Sequence, residues 1–402
     1  MNLLDELRQT IALGGNIRTM AVRALIAEAC FGMFYVVWQP YLLELGATLP
    51  QLGLVQGVMI LFAAVGSLLW GRLSDSWGRK PVAIASILCR IAALIFCLTA
   101  RGWGSFIGFS VFMGLSATWQ QYNPAISALT AESVDDERVS TAISVTMSLG
   151  MMASISTASL GGYLALNGRY RIIFLSCILG EIFNAALFSL KLRETLDKRT
   201  VASQEPAERW WRGLRDLLRP EAALLPFYAA AVIGSVSYGL SNSILYGLLV
   251  DDLGFNTVQL GLMSTLFGLS WGLSQLPVGW LMDRYGRKWF LLLSQVASMA
   301  VMAGYILSRD FAVFLVLQAI SGMSHAMWIP AQLAMVTERV PSERRSSAIG
   351  KLSTFPLLFG IPAPYIGGLL YESLGFGAPM LVRFLSLMAS FSIILAFVRE
   401  AE

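Results

Sequence analysis

The chain has 402 residues, of which 56% are hydrophobic and 13% are charged, and its formal net charge is +4. About a quarter of the residues of a soluble domain are charged, so this composition excludes an ordinary soluble enzyme and favours a chain embedded in lipid. The positive balance does not indicate nucleic-acid binding, because the basic residues are sorted among short loops between apolar segments.

Long apolar segments, taken in chain order, predict twelve membrane-spanning helices. A span needs about 20 apolar residues, and lipid leaves backbone polar groups no partner outside the helix. The spans are predicted at residues 18–43, 51–73, 81–100, 104–131, 140–165, 170–191, 223–249, 257–281, 288–308, 310–336, 345–370 and 377–398. We therefore expect an all-α membrane protein with an N-terminal six-helix bundle (1–191), a cytoplasmic linker (192–222) and a C-terminal six-helix bundle (223–402).

The linker contains a segment, 209–219, in which apolar residues at helical spacing lie opposite arginines. Its residues Trp210 and Trp211 belong to the type that prefers the level of the lipid headgroups. The segment is predicted to form an amphipathic helix on the inner leaflet. A plain solvated linker is the alternative.

Basic residues concentrate at one set of predicted helix ends. The exceptions are Arg101, Arg169, Arg171 and Arg309 at the opposite ends, and Arg90 and Arg383 within spans. The positive-inside rule then predicts that both termini are cytoplasmic. Short loops without a glycosylation sequon favour a prokaryotic inner membrane.

A charged motif occurs twice, about half the chain apart, as Gly71–Lys80 and Gly279–Lys288. Each copy is a charged break between two apolar runs. The pair Gly161–Gly162 and Gly367–Gly368 repeats at nearly the same shift. Repeats in the same orientation predict two bundles related by a pseudo-twofold axis along the membrane normal, with a substrate site between them near mid-membrane.

These motifs resemble those of the major facilitator superfamily, in which the first copy joins the second and third spans. The resemblance implies twelve helices in two six-helix bundles, a rocker-switch transport cycle, and a cavity lined by spans one, four, seven and ten. The stretch from Glu28 to Gln39-Pro40 is similar to the acidic first helix of some drug–proton antiporters. The segment Thr157–Gly162 and residue Ser110 depart from the Gly-Pro-x-x-Gly-Gly and Arg patterns of that branch.

Charges at the membrane edge must find partners. We expect the ion pairs Arg79–Glu132 and Arg287–Glu338, one in each half. These contacts are predicted to control opening of the transport path and to favour the outward-open state. The alternative is that they only fix loop orientation and topology.

The two motif aspartates are predicted to face helix N-termini, which carry about half a positive charge. We expect Asp75 near Ser346 and Ser347, and Asp283 near Ser140–Thr141. This places both aspartates in the gating set.

Three charged residues are predicted to lie deep in spans: Glu28, Arg90 and Glu181. A lone charge at mid-bilayer costs about 2.5–3.5 kcal/mol on insertion scales, so we expect Arg90 to pair with Glu28, Glu181 or both. One interpretation is a proton-coupling site, since burial favours a neutral carboxyl group and a nearby arginine favours a charged one. The alternative is a permanent ion pair. His325 is a further proton-coupling candidate, with a hydrogen-bonding pocket residue as its alternative.

Polar and aromatic side chains in the same spans predict a substrate cavity with stacking rings and a few polar anchors. Hydrogen bonding between helices is the alternative for each of them. The candidates are Tyr35, Gln39, Trp119, Gln120, Tyr122, Asn123, Tyr238, Asn242, Tyr246, His325, Trp328 and Gln332.

The sequence favours a secondary active transporter, monomeric and without a cofactor, that exports small amphipathic or lipophilic organic molecules at the expense of a proton gradient. A proton symporter or facilitator for a polar metabolite such as a sugar, and a lipid flippase, are the alternatives. An enzyme would need a reactive constellation or a metal cluster, and the sequence contains neither pattern. A sensor would usually carry an additional soluble domain.

Overall fold

The computed structural model describes residues 15–117, 123–134, 139–196, 224–338, 340 and 355–398. Within these residues the chain is helical and contains no strand. The helices of the first half are α1 (Gly15–Glu44), α2 (Leu49–Trp77), α3 (Arg79–Leu98), α4 (Ser105–Leu115), α5 (Pro124–Glu132), α6 (Val139–Leu166) and α7 (Tyr170–Lys191). Those of the second half are α8 (Leu225–Ser241), α9 (Leu245–Leu253), α10 (Thr257–Tyr285), α11 (Arg287–Leu307), α12 (Phe311–Glu338), α13 (Ala363–Leu374) and α14 (Gly377–Phe397).

Nine helical segments in the described part of the chain are long and apolar enough to cross a bilayer. Their best windows have a mean hydropathy between 1.2 and 2.3. The chain is therefore a multi-pass membrane protein with an all-α fold. The predicted surface helix at 209–219 and the first part of the predicted span 345–370 lie outside the described residues.

The predicted span at 223–249 is present as the candidate membrane span Leu225–Leu253, but its helix is broken. Helix α8 ends at Ser241, and a 3-10 turn at Asn242–Ile244 separates it from α9. Serine side chains there bond to backbone carbonyls of the preceding turn, such as Ser241 Oγ to the carbonyl of Ser237 at 3.1 Å. Such side-chain bonds compete with regular helix geometry.

The predicted helix at 104–131 is also interrupted. Helix α4 ends at Leu115, and Ala117 has a φ of 54°, which a non-glycine residue adopts uncommonly. Helix α5 begins at Pro124 behind Asn123, whose side chain accepts a hydrogen bond from the amide of Ala125. A capping asparagine followed by a proline at the first position is a strong helix start, and it sets this boundary.

The chain divides into two compact units. Unit 1 consists of residues 1–47, 58–204 and 256–261, and unit 2 of residues 48–57, 205–255 and 262–402. The first residues of α2 thus belong to unit 2, and the first residues of α10 belong to unit 1.

Glycines allow the first residues of α2 and of α10 to pack closely within the units to which they belong. In unit 1 the hydroxyl of Thr257 donates to the carbonyl of Gly162 at 2.6 Å. In unit 2 a Cβ on Gly53 would overlap with the carbonyl oxygen of Pro364. Small residues at such crossings are typical of helix packing in membranes, where close backbone contact replaces the hydrophobic effect.

Candidate functional site

A buried ion pair links α3 and α7 inside unit 1. A guanidinium nitrogen of Arg90 lies 3.1 Å from a carboxylate oxygen of Glu181, and both side chains are almost fully buried. The guanidinium carbon of Arg90 also lies 3.9 Å from the ring centroid of Phe31, at cation–π distance. The predicted pairing of Arg90 is therefore with Glu181.

Two further charges on α1 complete this cluster, which we call the unit 1 charge cluster: Arg23, Glu28, Arg90 and Glu181. Arg23 lies within electrostatic range of Glu28 and of the Arg90–Glu181 pair. Glu28 forms no ion pair with any side chain that the structure describes. Gly150 of α6 faces it closely, since a Cβ there would lie 2.9 Å from the Glu28 Cγ.

The sequence reasoning missed Arg23 because it assigned this residue to the inner loop charges. The helix begins at Gly15, so Arg23 is its ninth residue and belongs to the span. The predicted span 18–43 already contained residue 23, and this position was the signal that could have found it. Charge balance also supports the assignment, because the cluster then holds two arginines and two glutamates.

A ring cluster lies inside unit 2, between α8, α10 and α12. The imidazole of His325 lies 5.1 Å from the ring of Phe267, 6.1 Å from that of Trp271 and 6.4 Å from that of Tyr238. Nδ1 of His325 is 2.9 Å from the carbonyl oxygen of Ser321 one turn earlier. We call Tyr238, Phe267, Trp271 and His325 the unit 2 ring cluster.

A buried arginine, Arg383 of α14, borders this ring cluster. Its guanidinium carbon lies 5.0 Å from the ring centroid of Tyr238. It donates hydrogen bonds to Oδ1 of Asn242 and, at 3.5 Å, to the hydroxyl of Ser241. The break in the seventh span exposes these two acceptors to Arg383. The sequence placed Arg383 in a span but gave it no partner.

The other cavity candidates occupy varied places. Tyr35 lies within electrostatic range of the unit 1 charge cluster, and Gln39 is buried. Tyr246 is hydrogen bonded to Ser264. Trp328 packs against the core of unit 2.

Three candidates of span four, Trp119, Gln120 and Tyr122, lie outside the described residues. Asn123 is buried, and its amide is used by the cap of α5 and by a 3.3 Å bond to the carbonyl of Ser116. Gln332 is half-buried in α12. The structure therefore brings together Tyr238 and Asn242 with His325 through Arg383 and the rings.

The first copy of the repeated motif forms a set of charged contacts at the membrane edge. The Arg79 guanidinium contacts the Asp75 carboxylate and lies 3.0 Å from the Glu132 carboxylate, so the predicted Arg79–Glu132 pair is present. It also donates to the hydroxyl of Ser74 at 2.8 Å. Arg79 thus joins the end of α2 to the end of α5.

Glu194, which follows α7, was missed by the sequence reasoning. Its carboxylate accepts from the amides of Arg79 and Lys80 at 2.9 and 3.0 Å, which are the first orphan donors of α3. No short-range pattern could reveal this cap, because the carboxylate comes from more than a hundred residues away. Burial alone would raise the pKa of Glu194, but bonds from the amides of Leu196, Arg79, Lys80 and Thr195 outweigh it and lower that pKa.

The second copy of the motif repeats part of this geometry. Lys288 donates to the carbonyl of Leu395 at 3.0 Å, as Lys80 donates to the carbonyl of Ser189 at 2.8 Å. The side chains of Asp283 and Glu338 lie outside the described part of the chain, as do the predicted partners near 346 and 140. The pair Arg287–Glu338 and both aspartate–helix contacts therefore stay predictions.

Comparison with known proteins gives the family of this fold. The profile of the Major Facilitator Superfamily matches residues 20–249 and 227–402. The multi-drug resistance efflux pump PmrA of Streptococcus pneumoniae serotype 4 is 26% identical over 394 residues, covering 94% of this chain and 92% of its own. The multidrug resistance protein MdtG of Klebsiella pneumoniae is 23% identical over 378 residues, covering 91% and 89%.

Solved structures share the same fold at low sequence identity. A mutant of the nucleoside transporter NupG superposes with a TM-score of 0.75 at 15% identity, over 95% of this chain and 100% of its own. A D-xylose–proton symporter gives 0.69 at 15% identity, over 99% of both chains. At this identity the likeness concerns the fold alone.

The Arg90–Glu181 pair is expected to behave as a coupled unit. Arg90→Met leaves a buried carboxylate without its partner and should cost about 3–5 kcal/mol, whereas replacing both members by apolar residues is often nearly neutral. We expect the apparent melting temperature of the detergent-purified protein to fall strongly in Arg90→Met and to recover in Arg90→Met/Glu181→Leu. An Arg90→Met variant as stable as the parent would contradict a permanent pair.

Glu194 is expected to make stability depend on pH. Its pKa is lower in the folded than in the unfolded protein, so its contribution is fully present above the unfolded value of about 4.3. It is lost as the pH falls through the folded value. Glu194→Gln should lower the apparent melting temperature at pH 7, and the difference from the parent should shrink below about pH 4. The exposed Glu372→Gln is the matched control. A difference that stays constant down to pH 3 would reject this cap.

Proposed function

The chain belongs to the Major Facilitator Superfamily and is a secondary transporter, and we propose that it exports small amphipathic organic molecules in exchange for protons. The export direction is supported by relatives named as multidrug efflux pumps, which align along about nine-tenths of both chains. Sorting of the basic residues supports a bacterial inner membrane with both termini cytoplasmic. The protein acts as a monomer in this proposal.

The observation that carries proton coupling is the contrast between two glutamates of the unit 1 charge cluster. Glu181 is held by Arg90 at 3.1 Å, so it is occupied as a permanent counter-ion. Glu28 lies within electrostatic range of Arg23 on its own helix, which is in turn within range of the Arg90–Glu181 pair. Its carboxylate is free of an ion pair among the described residues, so it can gain or lose a proton without breaking one.

The charge balance of the cluster explains how proton binding to Glu28 is linked to helix movement. With Glu28 ionised, the two arginines and two glutamates of the cluster balance. Protonating Glu28 leaves one excess positive charge in a low-dielectric site, and the Coulomb energy of this change is large there. A movement of α1 against α3 and α7 would change the distances between Glu28 and these charges. Proton binding and helix movement are coupled in this way.

The membrane-edge contacts carry the proposed gate. Asp75, Arg79 and Glu132 join three helix ends in the first motif copy. Asp283, Arg287 and Glu338 take the corresponding roles in the second copy. Charged contacts at helix ends can be broken and remade in each cycle at modest cost, because edge charges exchange partners with water.

Substitution of Glu28 tests the proton proposal. In proteoliposomes with an imposed pH gradient, Glu28→Gln should abolish gradient-driven accumulation of an amphipathic dye while substrate exchange without a gradient persists. Glu372→Gln, an exposed carboxylate on α13, is the matched control and should remain coupled. The proposal fails if Glu28→Gln still accumulates the dye under a pH gradient.

Substitution of Asp75 tests the gate. Asp75→Asn removes one anchor of Arg79, so it should change both the transport rate and the balance of conformations, measured as the accessibility of single engineered thiols. Asp252→Asn removes a comparable helix-end ion pair with Arg309, outside the repeated motif, and should leave both readouts unaltered. If Asp75→Asn also leaves both unaltered, these charges only fix loop orientation.

A further inference from the structure

Arg383 is a buried cation whose partners among the described residues of unit 2 are neutral. Its side chain is 6% exposed. The acceptors that it reaches are the amide oxygen of Asn242 and the hydroxyl of Ser241. Its Nε is buried without a hydrogen-bond partner.

The titratable groups that face Arg383 do not supply a negative charge. They are the phenols of Tyr238 and Tyr305 and the imidazole of His325. A phenol is neutral near pH 7 and an imidazole is neutral or positive. None of them can act as the counter-ion of a guanidinium.

The carboxylates of unit 2 whose side chains the structure describes lie at helix ends and are exposed or otherwise engaged. Asp252 pairs with Arg309, and Asp251 accepts a hydrogen bond from the phenol of Tyr371 at 2.7 Å. The others are Asp310 and Glu372. None of them lies within ion-pair distance of Arg383.

Unit 1 shows how this protein neutralises a buried arginine when no ligand is needed. Arg90 has Glu181 at 3.1 Å. A buried charge without a counter-ion is costly and, within membranes, marks a functional site. The absence of a counter-ion for Arg383 among the described residues is therefore a property to be explained.

Aromatic surface and a second unused donor lie beside Arg383. The ring of Tyr238 lies close to both the guanidinium and the imidazole of His325, yet 38% of the surface of Tyr238 is exposed. The indole N–H of Trp271, in the same ring cluster, is buried without an acceptor. An anionic group with an attached apolar body would satisfy Arg383 and pack on these rings.

We propose that Arg383 and the unit 2 ring cluster form a recognition site for amphipathic organic anions, such as aryl carboxylates. The guanidinium binds the carboxylate and the rings bind the apolar body. This inference rests on the proposed export function, and it specifies the charge of the exported molecules. It gives the two units different tasks: proton handling in unit 1 and anion recognition in unit 2.

Binding of matched probes to the full-length purified protein tests this site. The probes are 2-naphthoate and its neutral counterpart 2-naphthamide, measured by calorimetry in neutral detergent and in nanodiscs of neutral or anionic lipid. We expect naphthoate to bind about tenfold or more tightly than the amide. A hydrogen bond to a charged group contributes more free energy than a neutral one, and the difference corresponds to roughly tenfold in the binding constant. Arg383→Gln should remove the preference, and Arg309→Gln, a surface arginine of the same unit, should keep it.

Stability provides a second readout that does not depend on affinity. Arg383→Met removes an uncompensated charge, so the variant should melt at the same or a higher temperature than the parent, in contrast to Arg90→Met. Naphthoate should raise the melting temperature of the parent but not that of Arg383→Gln. Trp271→Phe should weaken naphthoate binding without unfolding the protein.

Several outcomes overturn the inference. Equal binding of naphthoate and naphthamide by the parent, or a preference that survives in Arg383→Gln, rejects an anion site at this arginine. Loss of naphthoate binding only in anionic nanodiscs would assign Arg383 to a lipid headgroup instead of a substrate. Proton-driven export of neutral probes without any anion preference would reject this inference and leave the proposed function intact. Arg383-dependent binding without export in proteoliposomes would reject the proposed export function and leave the anion-binding site intact.

Discussion

A charge buried in a lipid-embedded helix bundle must be neutralised by something close to it. The described structure meets this constraint with its own side chains in unit 1 but not in unit 2. In unit 1, Arg90 and Glu181 face each other at 3.1 Å and the neighbouring Arg23 and Glu28 complete a balanced cluster. In unit 2, Arg383 has only neutral acceptors. The proposed division of labour between proton handling and anion recognition follows from this difference.

The duplication explains which features the two halves share and which they do not. The lysine contacts at the membrane edge recur as Lys80 to Ser189 and Lys288 to Leu395, because both motif copies must end one helix and begin the next. The interiors have diverged. Span seven is broken at Asn242–Ile244, whereas α1 is continuous through its charges. The residues proposed to bind protons and substrate thus lie in the parts of the two repeats that differ.

The sequence was sufficient for those features that depend on transfer of residues into lipid. Apolar runs predicted the long helices, and the cost of a lone charge predicted that Arg90 would find a glutamate. The helix breaks after Ser241 and Leu115 could not be predicted in this way, because they arise from local competition by capping and serine side chains. The Glu194 cap depends on tertiary proximity, which no local pattern contains. Arg23 was missed because it was counted among the inner loop charges although the predicted span 18–43 contained it.

The unequal neutralisation of the two arginines is the claim on which the functional account depends. Its most direct test is an experimental structure of the protein with a heavy-atom-labelled aryl carboxylate. The account predicts ligand density bridging the Arg383 guanidinium and the ring of Tyr238, while Arg90 remains bound to Glu181. A protein carboxylate on Arg383, or ligand density beside Arg90 with Arg383 unoccupied, would contradict it.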